Sequence, residues 1–226
     1  MTIVDLYKKL KQILNDCNKS LRDKGLPSIN NLYEIPSVIE SAGELNRLPY
    51  VISKEIIEVT ADDLTGVVNI GSAFYECKSL QSVTIPDSVT TIDMNAFRNC
   101  SSLIYVAIPD SVTTLGLYAF SGCSSLENIT IPDSVTKIDD CAFWQCTKLT
   151  EVIIGTGITT IGSEAFKYCS NLTNVYIKST DPPSLYDQDV FPNTTRIHIR
   201  VGSGDAYMSA ANWSYYASIG NIIEDI

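Results

Sequence analysis

At 226 residues and 45% apolar composition, the chain is long enough to bury a core in one or two domains. A formal net charge of −10 excludes the basic stripe that a nucleic-acid binder sets against phosphate, and it opposes docking on an anionic membrane. No apolar run reaches the roughly 20 residues that span a bilayer, so neither nucleic acid nor membrane insertion is expected.

The opening MTIVDLYKKLKQ is charged and amphipathic, without the apolar core of a signal peptide. Ile3, Leu6, Leu10, Ile13 and Cys17 follow a 3-4-3-4 spacing, which predicts an amphipathic helix. Gly25 and Pro27 end it, and SINNLYEIPSVIESAG predicts a second, shorter helix that is interrupted or restarted near Pro36. Residues 1–48 therefore read as an N-terminal helical segment. Two arrangements suit it: a helical hairpin packed on itself or on the first repeat, or a short coiled-coil or docking module through which the chain would oligomerise.

From residue 49 onward a repeat takes over. Phenylalanines stand at Phe74, Phe97, Phe120, Phe143 and Phe166, and cysteines at Cys77, Cys100, Cys123, Cys146 and Cys169; both series step by 23. Alanine precedes every one of these phenylalanines. Leu80, Leu103, Leu126, Leu149 and Leu172 hold the same phase, followed by a Val-x-Ile pair such as Val106 and Ile108, and later by Val112 and Leu115 or their equivalents. A fixed period of this length with stacked apolar positions predicts a solenoid, because one turn cannot bury its apolar side chains without a turn above and below. Val-x-Ile predicts a short strand with both residues inward. IPDSV turns the chain, SVTTI predicts a second, shorter extended piece, and AFxxC predicts a helical or 3₁₀ turn. Strands at about 4.8 Å make five copies roughly 24 Å deep.

The pattern Leu-x-x-Val-x-Ile-Pro-x-Ser-Val-Thr-x-Ile-x-x-x-Ala-Phe-x-x-Cys resembles the BspA-like class of bacterial leucine-rich repeats over about residues 56 to 200. The resemblance implies a leucine-rich repeat solenoid of parallel short strands, β-rich α/β, with one coil per 23 residues. It also implies a non-catalytic recognition or adhesion module, extracellular or at a bacterial cell surface, that binds a protein or glycan. The leading helices are also similar to the helical modules of phage or prophage tail proteins, which gives the alternative of a virion-associated structural or receptor-binding component.

Both ends of the repeat depart from the pattern. EIIEVTADDLTGVVNIGSAF forms a degenerate first coil, with Ile70 three residues before Ala73 where Ile92 stands four before Ala96. STDPPSLYDQDVFPNTT replaces a regular turn and sets Phe191 25 residues after Phe166. RIHIRV predicts a last strand. SGDAYMSAANWSYYASIG predicts one C-terminal capping helix, starting near Ser203 or Asp205 and covering the last coil with Tyr207, Ala211 and Trp213. This ending resembles those of gut-bacterial BspA-like proteins. The second domain thus runs over 49–226, first coil and cap included.

Candidate chemistry is sparse. Seven cysteines invite disulfides or zinc, but the five-membered ladder puts equivalent side chains about 4.8 Å apart and parallel, which suits neither a disulfide nor a close Cys pair for metal. They are expected to be free, buried, small apolar residues. Cys17 fits a helix core, and Cys141, at the position of Asn95, Tyr118 and Glu164, is expected at the surface. Asp87, Asp110 and Asp133 form a row that reads as Asx turns or as a weak calcium site. His198, the one histidine, falls between inward Ile197 and Ile199, so it is expected to face outward with no triad partners. No phosphate loop, HExxH or GxGxxG occurs, and no enzyme activity or cofactor is expected.

What remains is surface. Outward strand positions carry Ser82, Tyr105, Asn128, Glu151 and Asn174 in one row, and Thr84, Ala107, Thr130, Ile153 and Tyr176 in the next, with Ile104 beside them. Aromatic and aliphatic groups on a polar face suit a partner-binding patch, although strands favour such residues for their own packing as well. The candidate partner-binding residues are Ile104, Tyr105, Glu151, Ile153 and Tyr176. Trp144, in the row after the phenylalanines, is either a second contact or a packing residue.

Overall fold

The structure, a computed structural model, describes residues 58–61, 64 and 67–226. The helices expected over 1–48, and with them Cys17, lie outside the described residues.

Each coil contributes two strands. β1 (Glu58–Val59) and β2 (Asn69–Ile70) form the first coil. β3 (Ser82–Thr84) with β4 (Thr91–Ile92), β5 (Tyr105–Ala107) with β6 (Thr114–Leu115), and β7 (Asn128–Ile131) with β8 (Lys137–Ile138) follow. β9 (Glu151–Ile154) with β10 (Thr160–Ile161), and β11 (Asn174–Ile177) with β12 (Ser184–Leu185), continue the series. β13 (Arg196–Ile199) leads into two short helices, α1 (Gly204–Ser209) and α2 (Trp213–Ser218), and β14 (Ile222–Glu224) closes the chain. All pairings are parallel. The even-numbered strands from β2 to β12 form one continuous sheet, as a solenoid requires. The other wall consists of a sheet β1-β3-β5 and a sheet β7-β9-β11-β13-β14, and its pairing lapses between β5 and β7.

Register follows the repeat. Val83 pairs with Val106, and Ile129 with Val152, which in turn meets Val175. The degenerate first coil absorbs its irregularity internally: Val59 meets Val83 and Ile70 meets Ile92, so a residue added before β2 is taken back before β4.

The third side is a run of tight turns, with a 3₁₀ turn only at Ser72–Phe74. Two columns of left-handed residues bend it. Asn95, Tyr118, Cys141 and Glu164 hold φ between 54° and 59°; Glu76, Asn99, Gly122, Gln145 and Tyr168 hold 59° to 73°. Backbone bonds then tie each turn to the next coil, as from Phe97 N–H to Ala119 O and from Phe120 N–H to Ala142 O, both at 2.7 Å.

The core is built from self-stacked columns. The rings of Phe74, Phe97, Phe120, Phe143, Phe166 and Phe191 lie 5.0 to 5.3 Å apart and within 14° of parallel. Phe191 keeps the column although it comes 25 residues after Phe166, because the surplus chain loops outward through exposed Tyr186. The cysteine ladder is free and buried. Its thiols also satisfy backbone acceptors. Cys100, Cys123, Cys146 and Cys169 each donate Sγ–H to a phenylalanine carbonyl of the preceding coil, at 3.0 to 3.2 Å. Burial pushes the Cys123 and Cys146 thiols well above the usual range. Hydroxyls repeat the device at the edge, with Thr113, Thr136 and Thr159 each donating to the carbonyl of the threonine one coil back.

Four expectations are corrected. The single capping helix is two, broken at Asn212, whose φ is 64°. Ala211 is exposed, and Tyr216 joins buried Tyr207 and Trp213 in its place. Cys141 is only 9% exposed: its left-handed backbone tucks the thiol between Tyr118 and Glu164, with Oε2 of Glu164 at 3.9 Å. His198 takes its place in the outward row but is 9% exposed, because Asp225, brought in by β14, lies 2.9 Å from Nδ1 and Tyr176 stacks on its ring.

Candidate functional site

Two faces of the solenoid carry the candidate residues, and they differ in how completely the chain satisfies them. On the turn side, Trp144 stands edge-on to Tyr168, with centroids 5.5 Å apart at 85°. The Arg98 guanidinium lies 4.4 Å over the Tyr118 ring. Lys167 bonds Glu164 at 2.5 Å and Asp189 at 3.0 Å, and these two hydrogen bonds push its pKa up. A hydrogen bond with Cys141 likewise raises that of Tyr118. Charges and rings here are largely occupied with one another. The structure therefore separates Trp144 from the other candidates and gives it a packing partner.

The wall formed by β1, β3, β5, β7, β9, β11, β13 and β14 is the other face. Inward Val and Ile side chains fix which residues point out. Tyr105 is 56% exposed and Ile104 beside it 47%. Glu151, in the same row as Tyr105, is half-buried. Ile153 and Tyr176 are register partners in the next row, followed by His198. Tyr176 stacks on the His198 ring at 4.4 Å and 20°, so part of its surface is spent inside the molecule. Tyr105 makes no ring contact among the described residues.

Two hollows mark this face. The first, about 320 Å³, opens where pairing lapses between β5 and β7, and is bordered by Tyr105, Ala107, Thr130, Pro132, Asp133 and Lys178. Small Ala107 leaves the gap beside Tyr105. The second, about 380 Å³, is bordered by Ile153, Thr156, Tyr176, Lys178, Arg200 and Ile226. Lys178 belongs to both. It occupies the column held by Pro86, Pro109 and Pro132 in earlier coils, with Gly155 between. A side chain at Gly155 would collide with Asp133, its Cβ falling 2.6 Å from the Asp133 backbone, so the coil before Lys178 is bare at this point. Sequence reasoning does not single out Lys178, Arg200 or Ile226; the one signal is a lysine where the repeat writes proline.

The Asp row does not act as local turns alone. Oδ1 of Asp133 accepts the Thr156 N–H of the next coil at 2.8 Å. Among the described residues no group of three His, Cys, Asp or Glu side chains is placed to hold a metal ion. The neighbours of His198 are Asp225, Asn174 and Tyr176, none of them a serine or cysteine nucleophile. No helix among the described residues is long and apolar enough to cross a membrane.

Comparison with known proteins agrees with this geometry. The family model for the BspA type leucine rich repeat region matches residues 69–197 in six copies, more than half of the chain. A leucine rich cell surface protein from Faecalibacterium prausnitzii is 34% identical, with a TM-score of 0.52 over 55% of this chain and 33% of its own. The pneumococcal vaccine antigen PcpA is 17% identical, with a TM-score of 0.61 over 75% of this chain and 42% of its own, and shows the fold alone. The chain thus spans less than half the length of either neighbour. No curated protein matches it.

Proposed function

Since this chain belongs to the BspA-type leucine-rich repeat family, we propose that it is a non-catalytic recognition module that presents the wall containing Tyr105, Ile153 and Tyr176 to a protein partner outside a bacterial cell. Repeats of this kind supply a rigid scaffold, and specificity comes from the side chains that differ between copies. One observation carries the reading. Ile104 and Tyr105 stand together on an outward face, more than 40% exposed, with no described ring contact to explain them. Large rings of this type give contact area at low entropic cost and dominate interface hot spots. The surface character of the F. prausnitzii neighbour supports an extracellular setting.

The test is the Tyr105→Ser/Tyr176→Ser protein, compared with wild type for stability and for capture of partners from host or bacterial lysate with identification by mass spectrometry. Lost capture with retained folding supports the reading. Unchanged capture assigns the rings to packing and overturns it. A partner recovered only as free glycan would replace the protein by a carbohydrate.

A further inference from the structure

The second hollow has a chemistry of its own. Ile153, Tyr176 and Ile226 line it with apolar surface, Thr156 adds one hydroxyl, and the remaining two residues are Lys178 and Arg200. Both cations are exposed, and neither forms an ion pair with any described residue. No acidic side chain borders the hollow. This is unusual ground in a chain with 26 acidic and 16 basic residues. On the opposite face Lys167 has two carboxylate partners and Arg98 has a ring. Two unpaired cations beside an apolar floor complement a carboxylate attached to an apolar body.

We propose that this hollow seats an acidic peptide segment, with one apolar side chain on Ile153, Tyr176 and Ile226 and an adjacent carboxylate held by Lys178 and Arg200. The proposal rests on the recognition role above and names the chemistry of its partner. A peptide fits better than a sugar because the floor offers aliphatic surface and a single hydroxyl, where a glycan needs a fringe of donors and acceptors. Arg200 supplies a planar fork for a carboxylate and Lys178 a mobile point charge. Lys178 also borders the first hollow, so a segment running along the solenoid axis would pass from this seat towards Tyr105. The net negative charge opposes an acidic partner only at long range, where salt screens it beyond about 8 Å; the contact is decided by the two local cations.

The probe is the dye-labelled, acetylated pentapeptide Asp-Leu-Asp-Phe-Asp, read by fluorescence polarisation against the full chain. Binding is expected, with at least a tenfold loss in Lys178→Ala/Arg200→Ala, in the Asn-for-Asp peptide, and in a peptide with serine at both apolar positions. Circular dichroism of the double variant should match wild type, since neither side chain has a described ion-pair partner to lose. No binding, or binding that the double variant leaves unchanged, overturns the seat. So does binding by an acidic oligosaccharide such as oligogalacturonate in place of the peptide. Tyr105→Ser lies outside the hollow and keeps the two readings apart. If it abolishes partner capture while the peptide fails to bind, the recognition face stands and the seat falls.

Discussion

Phe120 and Phe191 occupy equivalent places in one column, yet their surroundings are opposites. Phe120 lies between Phe97 and Phe143 at 5.1 and 5.2 Å, each ring nearly parallel to it. Phe191 has Phe166 on one side only; on the other, Trp213 is tilted at 40° and Tyr216 stands edge-on at 71°. In the middle, every group meets a copy of itself, so one motif solves packing and hydrogen bonding for all coils. At the end no copy follows, and the carbonyls that another coil would cover need partners of another kind. Side chains provide them: Trp213 Nε1–H donates to Pro183 O at 2.6 Å, Asn212 to Leu185 O at 2.8 Å, Tyr207 OH to Ser179 O at 2.9 Å and Tyr216 OH to Gln188 O at 2.8 Å. A repeat propagates by identity and stops by substitution of aromatic residues with polar tips, which cover apolar surface and donate at once.

The contrast sharpens most at the column itself. Phe120→Ala removes a fully buried ring with neighbours on both sides and should lower stability by about 3–5 kcal/mol. Phe74→Ala should cost clearly less, because Phe74 stacks only on Phe97 among the described rings. Urea midpoints at unchanged m-value measure both. Equal losses would break the distinction between interior and end.

Next comes the cap. Tyr216→Phe keeps the ring but takes away the hydroxyl that accepts the Phe191 N–H at 3.0 Å and donates to Gln188 O. Stranding these buried groups should cost about 1–3 kcal/mol, read as a lowered melting temperature. No similar substitution exists in the column, whose rings carry no polar atom.

Smaller again is the cysteine ladder. Cys123→Ala loses one sulfur and its bond to Phe97 O, about 1–2 kcal/mol by chemical unfolding. The thiol also sets a pH dependence. Burial raises the folded pKa of Cys123, so its contribution is fully present below the unfolded thiol's pKa, about 8.5, and is lost as pH rises above it, by up to about 1.4 kcal/mol per pH unit. Unfolding curves between pH 8 and 10 should therefore be steeper in pH for wild type than for Cys123→Ala.

The repeat columns are legible in the sequence because each recurs in phase, and one alignment places Phe, Cys, Leu, Val and Ile together. The departures are less legible, since each has a single instance. IIE of β14 matches no repeat position, so nothing in the pattern announces the strand that brings Asp225 to His198, or the burial of the histidine that follows from it. Asn212 looks like an ordinary helical residue until its left-handed backbone breaks the cap. Analogy with Asn95 and Glu164 puts Cys141 at the surface, but a shorter side chain on the same left-handed backbone stays inside. For the face, alternation is enough to name Tyr105, Ile153 and Tyr176 as outward. The Lys178–Arg200 pair needs three dimensions, because its hollow is closed by Ile226, 48 residues after Lys178.

The central claim is a division of labour: the stacked columns hold the fold, and the wall around Tyr105 is free for recognition. Its most direct test is one urea series with wild type, Phe120→Ala and Ile104→Ser/Tyr105→Ser. The face variant should unfold within about 0.5 kcal/mol of wild type, as exposed positions without structural partners do, while Phe120→Ala falls by several kcal/mol. A face variant that loses as much as Phe120→Ala would show that Ile104 and Tyr105 belong to the folded core's support and would contradict the account.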